Sequence, residues 1–303
     1  MDDLIEFTGK SINSKEVGVI RGLKEELKNS SNCSLKPNSK LELVSKNSDR
    51  IRGIIVNNID FTNLPEELIH LNNLEYIYFK KCYIGLLQCS KIPSTLRTLS
   101  FNSCKVEKID DTIKDQKNLS AFWVNSSQIA HLSLGFCHLE NINTIELSDA
   151  SKCNIPLLSR KFKKLQFLNM SNQNLLSFPE NIDQYSKLKK LELSENNIEE
   201  IPKGIKYLKN LKYLFLSHNQ IKRLCPEFCE MSNLCLVKLN DNQMYSFPRN
   251  SENLHNLHIL DLSHNLCSKI PRSINKLPDL HSLNLSHNYI EVVPNSLGEI
   301  KSL

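Results

Sequence analysis

Glycine is scarce in this sequence, with eight in 303 residues. No glycine-rich loop of the kind that cradles phosphates can be read from it. GxSxG, HExxH and paired CxxC patterns are missing as well, which removes the usual signatures of nucleophilic and metal-dependent hydrolysis. No apolar run approaches the roughly 18 residues that a membrane helix needs, so no membrane partner is expected. Neither sign of charge dominates: 38 basic side chains against 33 acidic ones leave +5. That balance does not demand a nucleic-acid partner, and none is expected. The first ten residues, MDDLIEFTGK, carry two acids and no long apolar stretch. They do not read as a secretory signal, so the expected location is the cytoplasm, with the nucleus left open. In that compartment the ten cysteines are expected as reduced, mostly buried thiols. The Asn-x-Ser/Thr sites at Asn29, Asn32, Asn118, Asn125, Asn169 and Asn284 are expected unmodified.

What the sequence does have is a period. Leu188, Leu191, Leu193, Asn196, Ile198, Ile201 and Pro202 return 23 residues later as Leu211, Leu214, Leu216, Asn219, Ile221 and Leu224. The phase continues through Leu234, Leu257, Leu280 and Leu303, and backward through Leu165, Ile142, Leu119 and Leu96. Leu74 lies 22 residues before Leu96, and Ile51 lies 23 before Leu74. Residues 51–303 thus form a repeat domain of about eleven copies of LxxLxLxxNxLxxIPxxIxxLxx. Positions 4 and 6 alternate, which predicts a short strand with those side chains inward. Position 9 is an Asn suited to satisfying backbone groups in a turn. Positions 14, 18 and 21 predict a helical or 3₁₀ turn on the outer face, and Pro202, Pro248, Pro271 and Pro294 at position 15 would start it. One copy cannot bury its apolar side alone, so stability must come from stacking neighbours.

The position-9 residue changes along the chain. It is Asn196, Asn219, Asn242, Asn265 and Asn288 in the later copies, but Ile59, Cys82, Cys104, Ser127, Ala150 and Gln173 in the earlier ones. The first half is therefore expected to be less regular. Residues 1–50 do not fit the repeat and read as an N-terminal cap and flanking segment. Val17, Ile20, Leu23 and Leu27 share one helical face within Ser14–Lys28, Asn29–Ser39 reads as a polar loop, and Lys40–Ser45 reads as a strand.

The repeat consensus resembles that of the leucine-rich repeat family, over about five sixths of the chain. The resemblance implies an α/β solenoid: a right-handed horseshoe with one concave parallel β-sheet and short helical or 3₁₀ turns on the convex side. The IPxxIxxLxxL segment looks like that of Ras-pathway and cell-polarity proteins of the family, which implies an intracellular signalling scaffold and not an enzyme. The stretch from Ile221 to Pro248 is similar to repeats of the leucine-rich adaptor of cullin ligases. That leaves, as alternatives, substrate recognition for a ubiquitin ligase, or a catalytic domain beyond residue 303.

Positions 2, 3, 5, 7 and 8 should face away from the core. Tyr76, Phe167, Tyr213, Leu236 and Ile259 occupy position 3, and Tyr78, Trp123 and Phe215 occupy position 5. Large apolar groups on an exposed sheet face mark a protein-binding surface. With Lys190 and Lys238 among them, these ten are the expected partner-binding residues. Catalytic residues, cofactors and metals are not expected. His218, Asp241, His264 and His287 all fall at position 8, a column suggestive of a metal site but read as a solvated edge. The Cys82/Cys104 pair and the Cys225, Cys229, Cys235 trio read as packing. Leu303 opens a further copy, so the end is expected to be covered by a partner or by residues not present here.

Overall fold

The computed structural model describes residues 5–8, 14–29, 31, 33–44, 50–150, 162–248, 250–270, 272–300 and 302–303. The chain forms two compact units, Met1–Phe162 and Lys163–Leu303.

The first unit opens with β1 (Ile5–Thr8), α1 (Ser14–Asn29), β2 (Cys33–Val44) and β3 (Gly53–Asn63). Leu23 and Leu27 of α1 are buried, as the helical spacing predicts. The backbone N–H of Glu66 donates to the Glu26 carboxylate at 3.1 Å, tying α1 to the first repeat. β2 runs antiparallel to β3 and parallel to β1. The loop expected over Asn29–Ser39 is corrected here, because Cys33–Ser39 belongs to β2. Cys33, Ser34 and Leu35 pair with Phe61, Asp60 and Ile59, and the register then slips before Lys40. Pro37 and Asn38 form that bulge: Asn38 has φ 64°, and the Asn58 side chain donates to the Pro37 carbonyl at 2.6 Å. The polar composition is thus that of a bulged strand.

Four further strands, β4 (Tyr76–Lys80), β6 (Thr98–Asn102), β8 (Ala121–Asn125) and β10 (Thr144–Ser148), continue from β3 as the expected parallel ladder. Between them lie β5 (Tyr83–Leu87), β7 (Lys105–Ile109) and β9 (Gln128–Leu132), which pair with β3 and with one another in a second parallel ladder. The first half is therefore not a loosened version of the second, as expected, but a doubled one. One contribution comes from position 15. Asp110 and Ser133 stand there, and their backbone N–H groups donate to Leu87 and Ile109 of the preceding repeats at 3.2 and 3.1 Å. A proline at this point has no hydrogen to give. Inside, an aromatic series runs Phe61, Phe79, Phe101, Phe122, Phe136, Phe162, with successive ring centroids 4.8 to 6.4 Å apart.

The second unit has six strands of three residues, one per repeat: β11 (Phe167–Asn169), β12 (Lys190–Glu192), β13 (Tyr213–Phe215), β14 (Leu236–Lys238), β15 (Ile259–Asp261) and β16 (Ser282–Asn284). They pair in parallel with no slip, so that position 3 faces position 3 throughout. The outer turns are 3₁₀, as in Lys203–Tyr207, where Ile205 is buried. Proline stands at position 15 in most of these repeats, and among the described residues no second ladder forms. One isolated bridge, Glu200 to Arg223, survives, and position 15 of that second repeat is Cys225, not proline.

The position-9 asparagines weld these repeats. The Asn219 side-chain amide donates to the carbonyls of Leu193, Leu216 and Ser217 at 2.9, 3.1 and 3.3 Å, and its Oδ1 accepts from Ile198 N–H at 3.0 Å. Asn242 and Asn265 repeat the donor set. In the first unit smaller groups do part of this work. Ser127 Oγ accepts from Cys104 N–H at 2.8 Å and donates to Asn125 O at 2.8 Å. Cys104 Sγ accepts from Cys82 N–H at 3.5 Å. Both cysteines are free and buried, as read from sequence.

Candidate functional site

On the first unit the ladder register sets Gly53, Tyr76, Thr98, Ala121 and Thr144 in one row, and Ile55, Tyr78, Ser100, Trp123 and Glu146 in the next. Small residues lie beside large ones in both rows. A Cβ on Gly53 would stand 1.8 Å from the Tyr76 ring, so the ring occupies the space that glycine leaves. Tyr76 and Tyr78 have centroids 5.4 Å apart. Tyr78 and Trp123 lean together at 6.3 Å across the intervening strand, whose Ser100 is buried. All three expected residues of this unit therefore meet, but they pack on one another and are half-buried. Burial, followed by the Tyr78 and Glu75 neighbours, raises the Tyr76 phenol above its ordinary value. The Trp123 Nε1 is enclosed and, among the described residues, has no hydrogen-bond partner.

The second unit presents a different surface. Phe167, Lys190, Tyr213, Leu236, Ile259 and Ser282 stand in one row, and Asn169, Glu192, Phe215, Lys238, Asp261 and Asn284 in the next. All seven expected residues of this unit lie in these two rows. Phe167, Tyr213 and Ile259 are exposed by 42, 42 and 37%, unlike the inward leucines beside them. Lys190 folds over the Phe215 ring, its ammonium 5.0 Å from the centroid, so it extends the apolar stripe by its stem. Position 7 is mixed: Ser217 and Ser263 are buried, Ser171, Ser194 and Asn240 are half-buried and Ser286 is exposed, and the Ser217 hydroxyl donates to Asn240 Oδ1 at 2.5 Å.

Position 8 has a role that sequence reading missed. Asn58, Lys81, Ser103, Ser126, Asp149, Asn172, Glu195, His218, Asp241, His264 and His287 all have positive φ, between 46 and 59°. This is the residue at which each repeat turns out of the sheet. The expected edge column does form: His218 Nε2 lies 3.6 Å from Asp241 Oδ2, and the His264 and His287 rings stack at 4.0 Å. Among the described residues no three His, Cys, Asp or Glu groups are gathered to hold a metal ion. Sequence reading also missed a lateral cleft of about 510 Å³ between Glu199, Glu200, Lys222, Arg223, Cys225 and Tyr245. Its lining mixes these groups with Ile201, Leu224 and Pro226. Cys229, near it in sequence, is buried, and burial pushes its thiol up to about 11.

Leucine rich repeat models match residues 186–244 and 279–300. The repeats are leucine-rich repeats. A leucine-rich repeat protein of Leptospira interrogans has 22% identity and a TM-score of 0.57, over 97% of this chain and 74% of its own. The leucine-rich repeat ectodomain of the Arabidopsis thaliana receptor kinase GASSHO1/SCHENGEN3, solved with CASPARIAN STRIP INTEGRITY FACTOR 2, has 25% identity and a TM-score of 0.58 over 80% of this chain. The Arabidopsis receptor kinase HAESA, solved with the peptide hormone IDA and the co-receptor SERK1, has 18% identity and a TM-score of 0.62 over 91% of this chain. The chain spans 33% of the GASSHO1 chain and 54% of the HAESA chain. No curated protein sequence matches the chain. The fold is that of leucine-rich repeat solenoids, and such modules generally serve protein interaction.

Proposed function

We propose that this chain is a protein-interaction scaffold that holds a protein partner on the strand face of its second unit, in signalling inside the cell. One observation carries the reading: exposed Phe167, Tyr213 and Ile259 and half-buried Phe215 and Leu236 share neighbouring strands, with Lys190 between Phe167 and Tyr213, on a sheet whose other face is packed from β11 to β15. Contiguous apolar surface in the open is costly to leave solvated and marks interaction sites. The mixture of Lys189, Lys190 and Lys212 with Glu192 and Glu195 suits a protein-facing rim better than a phosphate-tracking stripe. An intracellular setting is supported by Cys82 and Cys104, both free and buried, whose thiols donate to Lys80 O and Asn102 O at 3.2 and 3.3 Å, a role for which a disulfide has no proton.

The test is recovery of a partner by the purified chain, compared with a Tyr213→Ala/Phe215→Ala variant shown to keep its fold by circular dichroism. Truncating buried hot-spot aromatics costs about 2 kcal/mol or more each. The proposal expects partner recovery to collapse. Unchanged recovery would overturn it.

A further inference from the structure

The second unit's strand face is divided by charge as well as by polarity. At the strands' leading edge, position 2 supplies Lys189, Lys212, His258 and His281 and no acid. Beyond the apolar row, position 5 supplies Glu192 and Asp261 with Phe215 and Lys238 between them, and position 8 supplies Glu195 and Asp241 among His218, His264 and His287. Two of these carboxylates are fixed in place: Glu192 Oε1 accepts from Ser194 N–H at 3.1 Å, and Asp261 Oδ1 accepts from Ser263 N–H at 3.0 Å. A basic edge, an apolar ridge and an acidic edge therefore run side by side across the strands.

The spacing of these three lines selects an occupant. Along the stack, neighbouring strands are about 4.8 Å apart. A helix brings a residue back to the same side every turn of about 5.4 Å, whereas alternate side chains of an extended peptide recur only every ~6.7 Å. Across the face, position 2 to position 5 spans three residues, or about 10 Å. That is the width of a helix with its side chains, roughly 10–12 Å, so both flanks of a seated helix reach a charged edge. A polyproline II segment has a turn of about 9.3 Å, close to two strand spacings, but it is too slender to engage both edges at once.

We infer that the occupant of this face is an amphipathic α-helix of the partner, lying across β11 to β15. Its apolar side covers Phe167, Tyr213, Leu236 and Ile259. An acidic flank meets Lys189 and Lys212, and a basic flank meets Glu192 and Asp261. Four strand spacings give a contact of about 19 Å, which about 13 helical residues would cover. This rests on the partner site being on this face, and its test is built to fail separately.

The experiment measures fluorescence anisotropy of labelled peptides of about four helical turns with the full chain. The first is a lactam-stapled helix with leucines along one side, glutamates on one flank and lysines on the other. The others are the same composition scrambled, a stapled helix with lysines on both flanks, and a proline-rich peptide of equal charge. Exchanging the two flanks would not discriminate, because a helix reversed end for end presents the same charges. The two-flanked helix is expected to bind about tenfold tighter than each of the others, a difference of ~1.4 kcal/mol. Lys189→Glu/Lys212→Glu should weaken it, and should strengthen the doubly basic helix. Equal binding of the scrambled or proline-rich peptide, indifference to the charge reversal, or no binding at millimolar concentration would overturn the helix. If Tyr213→Ala/Phe215→Ala still abolishes recovery of a protein partner, the site stands and only its occupant is wrong. If that recovery is also unchanged, both readings fall.

Discussion

At position 8 a single backbone requirement recurs eleven times, and eleven times it is met without glycine. Left-handed φ is costly for most side chains, and Asn and Asp tolerate it best. Here Lys81, Glu195 and three histidines accept it as well. In the later repeats the residue that makes this tolerable is the next one. Asn219 answers four backbone groups of two repeats, and its amide cannot be replaced by solvent because it is buried. Each buried partner left unpaired costs about 1–3 kcal/mol. Asn219→Ala is therefore expected to destabilise the second unit by about 2–4 kcal/mol, measured by urea denaturation at unchanged m-value. A loss of only a few tenths of a kcal/mol would show that the turn closes without it. The position-9 asparagine was legible in the sequence because its identity is constant in the five later copies. The left-handed residue beside it was not, because lysine, serine, acid and imidazole share no side-chain chemistry that would reveal a shared backbone angle.

Between elements, the contrast is one ladder against two. Apolar groups at positions 11 and 14 are three apart, a spacing that suits a helical turn and, as seen in β5, β7 and β9, also an irregular strand. A signal that separates them is the residue at position 15, proline in Pro202, Pro248, Pro271 and Pro294 but Gln88, Asp110 and Ser133 in the repeats of β5, β7 and β9. Proline was read as the start of the outer turn, and its second effect, removal of a ladder donor, was not. Ser133 offers a direct test because its φ of −61° already suits proline. Ser133→Pro and Ser133→Ala both lose the hydroxyl that caps Gly135. Only the proline also removes the N–H bound to Ile109. Ser133→Pro is expected to be less stable than Ser133→Ala by about 1–3 kcal/mol in thermal or chemical denaturation. Equal stability would mean that the second ladder is a consequence of packing and contributes nothing through that bond.

For the molecule as a whole, the repeat period and the apolar row of the second unit were readable from the sequence because period fixes register and register fixes which side chains share a face. What the first unit does with its aromatics was not readable. Tyr76, Tyr78 and Trp123 looked like the same exposed signal as Tyr213 and Phe215, but Gly53 and Ser100 give them room to pack on one another. Stacked repeats gain stability from each neighbour. Leu260 of β15 and Leu262 just after it are buried, while Leu283 of β16 and Leu285 just after it are half-exposed and Val293 is 61% exposed. Amide exchange in β16 should therefore be faster than in β13 on a monodisperse monomer, and equal protection would contradict the neighbour account. The central claim, that the second unit's strand face holds a protein partner, is tested most directly by a photo-crosslinking residue placed at Leu236, at the centre of the stripe, and in a separate variant at Tyr207 on an outer 3₁₀ turn. The account predicts one protein captured at 236 and lost when Tyr213→Ala is added, with no capture at 207. Capture of the same protein at 207 but not at 236 would contradict it.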